Sequence, residues 1–154
     1  MERRRFLAIF GGLSSGLASR TAFAETEELP QVDPLETFPT TPEERINFVF
    51  DRDPTPSEVE DVKFVLWQEA VMNGENPQRW LDRARCESEF KPKAVNGWSG
   101  AMGILQFIPD TWNRAVARYI VVYGPQTLHP FNPVHNIRVG IFWKKITNEK
   151  QWSC

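Results

Sequence analysis

The sequence predicts a mainly α-helical domain, and three observations support this prediction. Four stretches place apolar residues at helical spacing, and each begins at a helix-start signal that contains proline. Between the second and third stretches the helical period is lost and glycines recur. No internal repeat is present. We therefore expect one compact helical domain with a glycine-rich loop or short hairpin.

The first 24 residues have the features of an export signal. They combine a basic start, a short apolar run and the small-residue ending Ala22-Phe23-Ala24. The apolar run is too short and too rich in glycine for a membrane anchor. Cleavage near Ala24 would leave the protein in the periplasm or outside the cell. The run RRRFL fits both a Sec signal and a twin-arginine signal, and both remain open.

Residues 25–54 form an acidic, proline-rich segment that we interpret as a linker or arm. A capping box at Thr41 and Glu44 predicts a short helix within it. The remainder is nearly neutral, because residues 58–154 carry ten acids against twelve bases. That balance is too weakly basic to indicate a nucleic-acid partner. We assign residues 55–154 to the folded domain.

Two helices are predicted at the start of this domain. The first has a capping box at Thr55 and Glu58, continues at helical spacing and ends at Gly74. The second begins with Asn76 as its N-cap, and Pro92 must stop it.

Two more helices follow the glycine-rich segment between Pro92 and Pro109. The third helix begins at Pro109 and is closed by Gly124. The fourth begins at the pair Asn132-Pro133, which suits an N-cap and a first helical position.

Glu87 falls near the end of the second helix and is a candidate for acid–base chemistry. A carboxylic acid donates a proton near neutral pH only when its pKa is raised, and apolar burial is the usual cause. Phe90, Trp98 and Phe107 are available to surround it, and the negative end of the helix dipole disfavours the carboxylate. Glycines admit a bulky polymer, tryptophans stack on sugars, and Gln106 offers an amide to a sugar acetamido group. Together these features indicate glycoside cleavage.

An exposed ion-pair ladder is the alternative interpretation of Glu87. Arg83 and Lys91 lie four residues to either side, so both could pair with it on a solvated helix face. Glu89 points away from the face of Glu87, and we expect it to be a surface charge. The residues alone leave both interpretations of Glu87 open.

No metal site and no cofactor are predicted. The two histidines, His129 and His135, do not have metal-ligand spacing, and we expect surface roles for them. The sequence also contains no phosphate-binding loop and no nucleophile triad.

The order of the motifs resembles the lytic transglycosylase domain of the lysozyme-like superfamily. Glu87-Ser88 is followed by GA-x-G-x-x-Q over residues 100–106 and by P-x-T-W over residues 109–112. The later segment NPVHNIRVGIFW is similar to the Asn-Ile helix of that family. The similarity covers about residues 60–154. It implies a compact lysozyme-like helical domain in which the glycine-rich segment lines a cleft.

The resemblance implies a peptidoglycan lytic transglycosylase that cleaves the MurNAc–GlcNAc bond of the glycan strand. Glu87 would be the single catalytic acid and base, and the products would carry 1,6-anhydro-muramyl ends. Ser88 would orient Glu87 by a hydrogen bond, and Gln106 would line the cleft near the N-acetylmuramoyl sugar. Trp98 and Phe107 are expected to contact the substrate.

One departure from the family concerns a tyrosine. Many larger members carry an Ala-Tyr-Asn motif after the Asn-Ile helix, and its tyrosine contacts the catalytic glutamate. This sequence has no such motif. Tyr119 or Tyr123 could substitute as a substrate-binding residue, although packing in the core is the favoured role for both.

The two cysteines, Cys86 and Cys154, are predicted to form a disulfide if the protein is exported. Two free thiols are the alternative. The W-x-C ending resembles small resuscitation-factor-like and phage-like members of the family. In that arrangement a disulfide would brace the residue directly before Glu87.

Two other functions stay open. A muramidase would hydrolyse the same bond with water and would need a second carboxylate across the cleft. Asp110 is the available acid in the motif region, but it is better explained as a first-turn helix residue. A non-catalytic wall-binding or assembly protein would keep the cleft without the chemistry. By analogy alone, an envelope-spanning secretion or assembly apparatus is an expected partner.

Overall fold

The computed structural model describes residues 41–147 and residue 152. These comprise five helices, α1 (Pro42–Ile46), α2 (Pro56–Met72), α3 (Pro77–Ser88), α4 (Pro109–Tyr123) and α5 (Pro133–Thr147). The mainly α fold class is confirmed. The predicted export signal, residues 25–40 and Cys154 lie outside the described residues. In the described part of the chain, no helix has both the length and the apolar character needed to cross a membrane.

The helix starts agree with the local signals in the sequence. At α2, the Thr55 hydroxyl accepts a hydrogen bond from the backbone N–H of Glu58, and the Glu58 carboxylate accepts one from the N–H of Thr55 at 2.7 Å. At α3, the Asn76 side chain accepts from the N–H of Arg79 at 3.2 Å. These bonds satisfy donors that a helix start leaves without an intrahelical partner.

The last part of the predicted arm, residues 41–54, lies on the domain. α1 has its predicted capping box and packs against α2 and α5. Arg45 of α1 donates two hydrogen bonds to the Asp61 carboxylate of α2, at 2.7 and 2.6 Å. Ile46 and Phe50 are buried in the hydrophobic core. This packing makes α1 part of the folded unit.

α5 has the most buried residues of the five described helices. It contacts α1, α2 and α4, and most of its residues from 133 to 143 are buried. Gly140 leaves room on the surface of α5 for the Leu105 side chain, which a Cβ at this position would overlap. The segment between α3 and α4 therefore sits directly on α5.

That segment is a glycine-rich loop held by two isolated antiparallel bridges. Val95 pairs with Met102, and Met102 pairs with Phe107. Gly103 has a φ of +76°, and a Cβ at this position would overlap the Asn136 amide of α5. A left-handed backbone in such close contact requires glycine. The loop is thereby folded back against the start of α5.

Candidate active site

A cleft of about 390 Å³ lies between the end of α3, the glycine-rich loop and Trp152. Its lining residues are Cys86, Glu87, Asn96, Ser99, Ala101, Gln106, Ile108 and Trp152. Among these described residues, Glu87 is the only carboxylate. The structure thus brings three of the predicted site residues, Cys86, Glu87 and Gln106, to one cleft.

The surroundings of Glu87 favour its protonated form. Its side chain is partly buried, and this burial raises the pKa of the carboxyl above its ordinary value. The positive charge of Arg83 opposes the rise, but burial is the larger effect. A larger fraction of Glu87 is therefore protonated near neutral pH than of a solvated glutamate, as a general acid requires.

The sequence left open an ion-pair ladder in which Arg83 and Lys91 pair with Glu87. In the structure both bases make other contacts. The Lys91 ammonium pairs with the Glu89 carboxylate at 2.7 Å. The Arg83 guanidinium lies over two tryptophan rings, with 4.7 and 4.8 Å to their centroids. Glu89 is exposed, and its hydrogen bond to Lys91 lowers its pKa, so it remains ionised. Glu87 is thus the candidate proton donor of this pair of acids.

Ser88 connects the end of α3 to the glycine-rich loop by a hydrogen bond. Its buried hydroxyl donates to the carbonyl oxygen of Ile104 at 2.8 Å and also lies 3.2 Å from the carbonyl oxygen of Ala84. These contacts are with backbone atoms, so Ser88 positions the helix end that carries Glu87. A direct hydrogen bond from Ser88 to the Glu87 carboxylate stays a prediction.

The chain turns sharply after Ser88. Glu89 and Phe90 have φ values of 54° and 62°, a backbone region that costs non-glycine residues about 1–3 kcal/mol each. Phe90 is nevertheless buried in the core. The sequence predicted that Pro92 stops this helix, but the turn ends α3 earlier, at Ser88. Glu87 therefore lies on the last turn of the helix.

Gln106 lines the cleft with its amide group already partly engaged. Its Nε2 donates hydrogen bonds to the carbonyl oxygens of Gly103 at 2.8 Å and Ala94 at 3.1 Å. Both hydrogens of the amide are therefore used within the loop. The Oε1 atom remains to accept a hydrogen bond from a substrate N–H or O–H.

The side chain of Asn136 in α5 supports the glycine-rich loop through hydrogen bonds. Its Oδ1 accepts a hydrogen bond from the Leu105 N–H at 2.9 Å, and its Nδ2 donates to the Pro130 carbonyl at 2.8 Å. The side chain is buried, so these bonds replace its contacts with water. The Asn-Ile motif identified Asn136, and its role in supporting the loop comes from the structure.

The three predicted aromatic contacts have different positions. Trp98 is 98% exposed on the loop, outside the lining of the cleft. Phe107 is 0% exposed and packs edge-to-face against two tryptophan rings behind the cleft wall. Tyr119 is buried against Phe142 in the core, as the sequence favoured, whereas Tyr123 near the end of α4 is 57% exposed, so the prediction that it packs in the core was wrong. Burial keeps the rings of Phe107 and Tyr119 away from a substrate, whereas Trp98 is accessible.

Trp152 is one of the cleft residues that the sequence did not predict. Its indole N–H donates to the Leu105 carbonyl at 2.6 Å, and its ring packs on Trp80 and Phe107. The W-x-C ending was the signal that could have pointed to it. Within the described residues, Cys86 is not a free thiol. Its predicted pairing with Cys154, which lies outside the described residues, stays a prediction.

The histidines lie together near the start of α5. The Nδ1 atom of His135 accepts from the N–H of His129, and the Nδ1 atom of His129 accepts from the N–H of Phe131. Burial lowers the pKa of His135. Over residues 41–147, no group of three or more metal-ligating side chains is present.

Comparison with protein families matches residues 66–149 to the transglycosylase SLT domain. The matched range is more than half of the chain and includes Glu87, the glycine-rich loop, α4 and α5. No curated protein and no solved structure gives a match. The resemblance inferred from the motifs is therefore confirmed, and the chain belongs to the transglycosylase SLT domain family.

Proposed function

We propose that this protein is a peptidoglycan lytic transglycosylase that cleaves the MurNAc–GlcNAc bond and leaves 1,6-anhydro-muramyl ends. Membership of the family supports a transglycosylase-type activity on peptidoglycan. The observation that carries the finer proposal is the single carboxylate, Glu87, among the described residues of the cleft. When the substrate's own 6-hydroxyl is the nucleophile, one protein acid–base group is sufficient.

The reaction would proceed through two proton transfers at Glu87. In the first, the protonated carboxyl gives its proton to the glycosidic oxygen while the bond from that oxygen to C1 breaks. In the second, the resulting carboxylate accepts the proton of the 6-hydroxyl as the 6-oxygen bonds to C1. Glu87 returns to its starting form, and no water is consumed.

Two further residues would bind the glycan strand. The Oε1 atom of Gln106 is the cleft acceptor for an acetamido N–H or a sugar hydroxyl. The exposed ring of Trp98 offers a flat apolar surface to a sugar outside the cleft. Trp98→Ala should therefore raise KM for long glycan strands more than it lowers kcat.

Mass spectrometry of muropeptides released from purified peptidoglycan tests the proposal. The wild-type protein should release anhydro-muramyl products, and Glu87→Gln should release none. Glu89→Gln is the matched control, because it removes an exposed acid two residues away and should leave the products unchanged.

Other outcomes would lead to the two competing functions. Reducing-end products would indicate hydrolysis and a muramidase. Asp110, the acid considered for that reaction, lies exposed in the first turn of α4 and does not line the cleft. Binding to peptidoglycan without products from wild type or variants would indicate a non-catalytic wall-binding protein.

We also propose export to the periplasm or the cell exterior, where peptidoglycan is located. The signal features of residues 1–24 and the absence of a free thiol at Cys86 support export. An alkaline phosphatase reporter fused after Ala24 should be active only if this segment directs export. An envelope-spanning apparatus as partner is supported by analogy alone, and co-purification from membranes would test it.

A further inference from the structure

The guanidinium of Arg83 lies against two tryptophan rings beside the cleft. Its guanidinium lies 4.7 Å from the ring centroid of Trp80 and 4.8 Å from that of Trp152. Its Nε atom is buried and has no hydrogen-bond partner among the described residues. A guanidinium commonly donates paired hydrogen bonds to a carboxylate. The faces of tryptophan rings attract cations, so these two rings hold the guanidinium where a carboxylate commonly would.

The rings hold Arg83 next to Glu87 without an ion pair. The two residues are four positions apart on α3, where Cβ atoms lie about 5–6 Å from each other. Trp152 lines the cleft together with Glu87, and its indole N–H is fixed to the Leu105 carbonyl at 2.6 Å. Among the described contacts, Arg83 makes no hydrogen bond or salt bridge to Glu87.

We propose that Arg83 is a positioning residue that stabilises the carboxylate of Glu87 between its two proton transfers, while Trp80 and Trp152 keep the guanidinium from pairing with it. This inference rests on the proposed function of Glu87. It assigns a role in the reaction to a residue outside the lining of the cleft.

The two proton transfers impose opposite requirements on Glu87. It must be protonated before the first transfer and stable as a carboxylate after it. Burial alone favours the protonated form and makes the carboxylate costly. A cation held nearby lowers that cost without removing the proton beforehand.

The ion pair between Arg52 and Glu58 shows how direct contact with an arginine changes the pKa of a glutamate. The Arg52 guanidinium donates two hydrogen bonds of 2.8 Å to Glu58, and mainly through them the pKa of Glu58 falls to about 2. A glutamate with such a pKa carries no proton near neutral pH and cannot act as a general acid. The tryptophan rings keep Arg83 from forming this kind of pair with Glu87.

Other charged groups near Glu87 do not provide the same effect. Glu89 and Lys91, after the sharp turn, pair with each other. Asp110 of α4 is exposed to solvent, and the cleft residues of the glycine-rich loop are uncharged. Of the described charged groups, Arg83 is the one that acts on the pKa of Glu87.

The test is a titration of Glu87 in the purified full chain, followed by the ¹³C NMR signal of its carboxyl group. Arg83→Gln should move the titration midpoint to higher pH, because the nearby positive charge is lost. Arg83→Lys keeps a positive charge and should show no upward movement. Arg83→Met, whose apolar side chain can pack on the rings, is a second neutral variant should glutamine disrupt the fold.

Arg85→Gln is the matched control, because it removes one positive charge from an exposed site on the same helix. It should leave the Glu87 midpoint as in wild type. An unchanged midpoint in both neutral Arg83 variants would overturn the inference. An equal movement in Arg85→Gln, or in Arg83→Lys, would also overturn it, since charge at Arg83 would then not be the cause.

Activity provides the second readout. In Arg83→Gln the alkaline limb of the pH–rate profile should move to higher pH, and kcat should fall while KM changes little. Because the titration needs no substrate, the two proposals can fail separately. Products from wild type with no midpoint change in the variants would overturn the inference alone. A midpoint change with no products from wild type would overturn the proposed function.

Discussion

The Ser88 hydroxyl donates a hydrogen bond of 2.8 Å to the carbonyl oxygen of Ile104. The bond joins the last residue of α3 to the glycine-rich loop, directly beside Glu87. Ser88 and Ile104 are both buried, so water cannot replace either partner. The position of the candidate acid relative to the facing wall of the cleft therefore depends on this contact.

Ser88→Ala should destabilise the protein by about 1–3 kcal/mol, because the buried Ile104 carbonyl loses its partner. The helix end would be held less firmly, so kcat should fall more than KM rises. Urea unfolding and initial rates of muropeptide release measure the two effects. Thr127→Ala, which removes a hydroxyl at an exposed position, is the control. Wild-type stability in Ser88→Ala would contradict the structural role.

Asn136→Asp should destabilise the protein by roughly 3 kcal/mol or more, because a buried charge replaces the amide that donates to Pro130. Protonation of the new carboxyl restores a donor and removes the charge. The loss should therefore be smaller at low pH than at neutral pH. Urea midpoints at both pH values, with the exposed Asn113→Asp as control, test this expectation. An equal loss at both pH values would argue against it.

Gly103→Ala should destabilise the loop, whereas Gly97→Ala should not. Gly103 has a φ of +76°, and an added Cβ would overlap the Asn136 amide and the Pro130 carbonyl. We expect a loss of about 2 kcal/mol or more for Gly103→Ala. A Cβ at Gly97 meets open space, so its effect should stay within about 0.5 kcal/mol. Thermal unfolding of the two variants compares them directly, and similar losses would contradict the assigned contacts.

Glu87→Gln should be more stable than wild type at neutral pH. Burial raises the pKa of Glu87 above its ordinary value of 4.5, so the folded protein binds this proton more tightly than the unfolded chain. Stability is therefore full below pH 4.5 and is lost as pH rises through the higher pKa of the folded state. Glutamine avoids this loss. The gain in Tm should be present at pH 7 and should diminish at pH 4.

Glu89→Gln is the control for the Tm measurement on Glu87→Gln. It should not raise the Tm at pH 7. Its hydrogen bond to Lys91 lowers the pKa of Glu89, so its contribution is present above the ordinary pKa and is lost as pH falls. The exposed pair contributes little. A rise in Tm for Glu89→Gln at pH 7 would show that the gain in Glu87→Gln does not come from the burial of Glu87.

The helices could be predicted from the sequence because their start signals are local. Thr41, Thr55 and Asn76 each cap a helix through atoms only three residues away. Pro109 likewise marks the start of α4 without a side-chain cap. Such contacts involve neighbours in the chain, so the residue types and their spacing are sufficient to indicate them.

The sequence by itself also determined the candidate acid, Glu87, and the family, because ordered motifs carry that information. Tertiary structure alone decided that Phe107 is buried and that Trp98 is exposed. It also decided that Ser88 bonds to a residue 16 positions away and Trp152 to one 47 positions away. Burial and long-range hydrogen bonds depend on which segments pack together, and local spacing does not encode this.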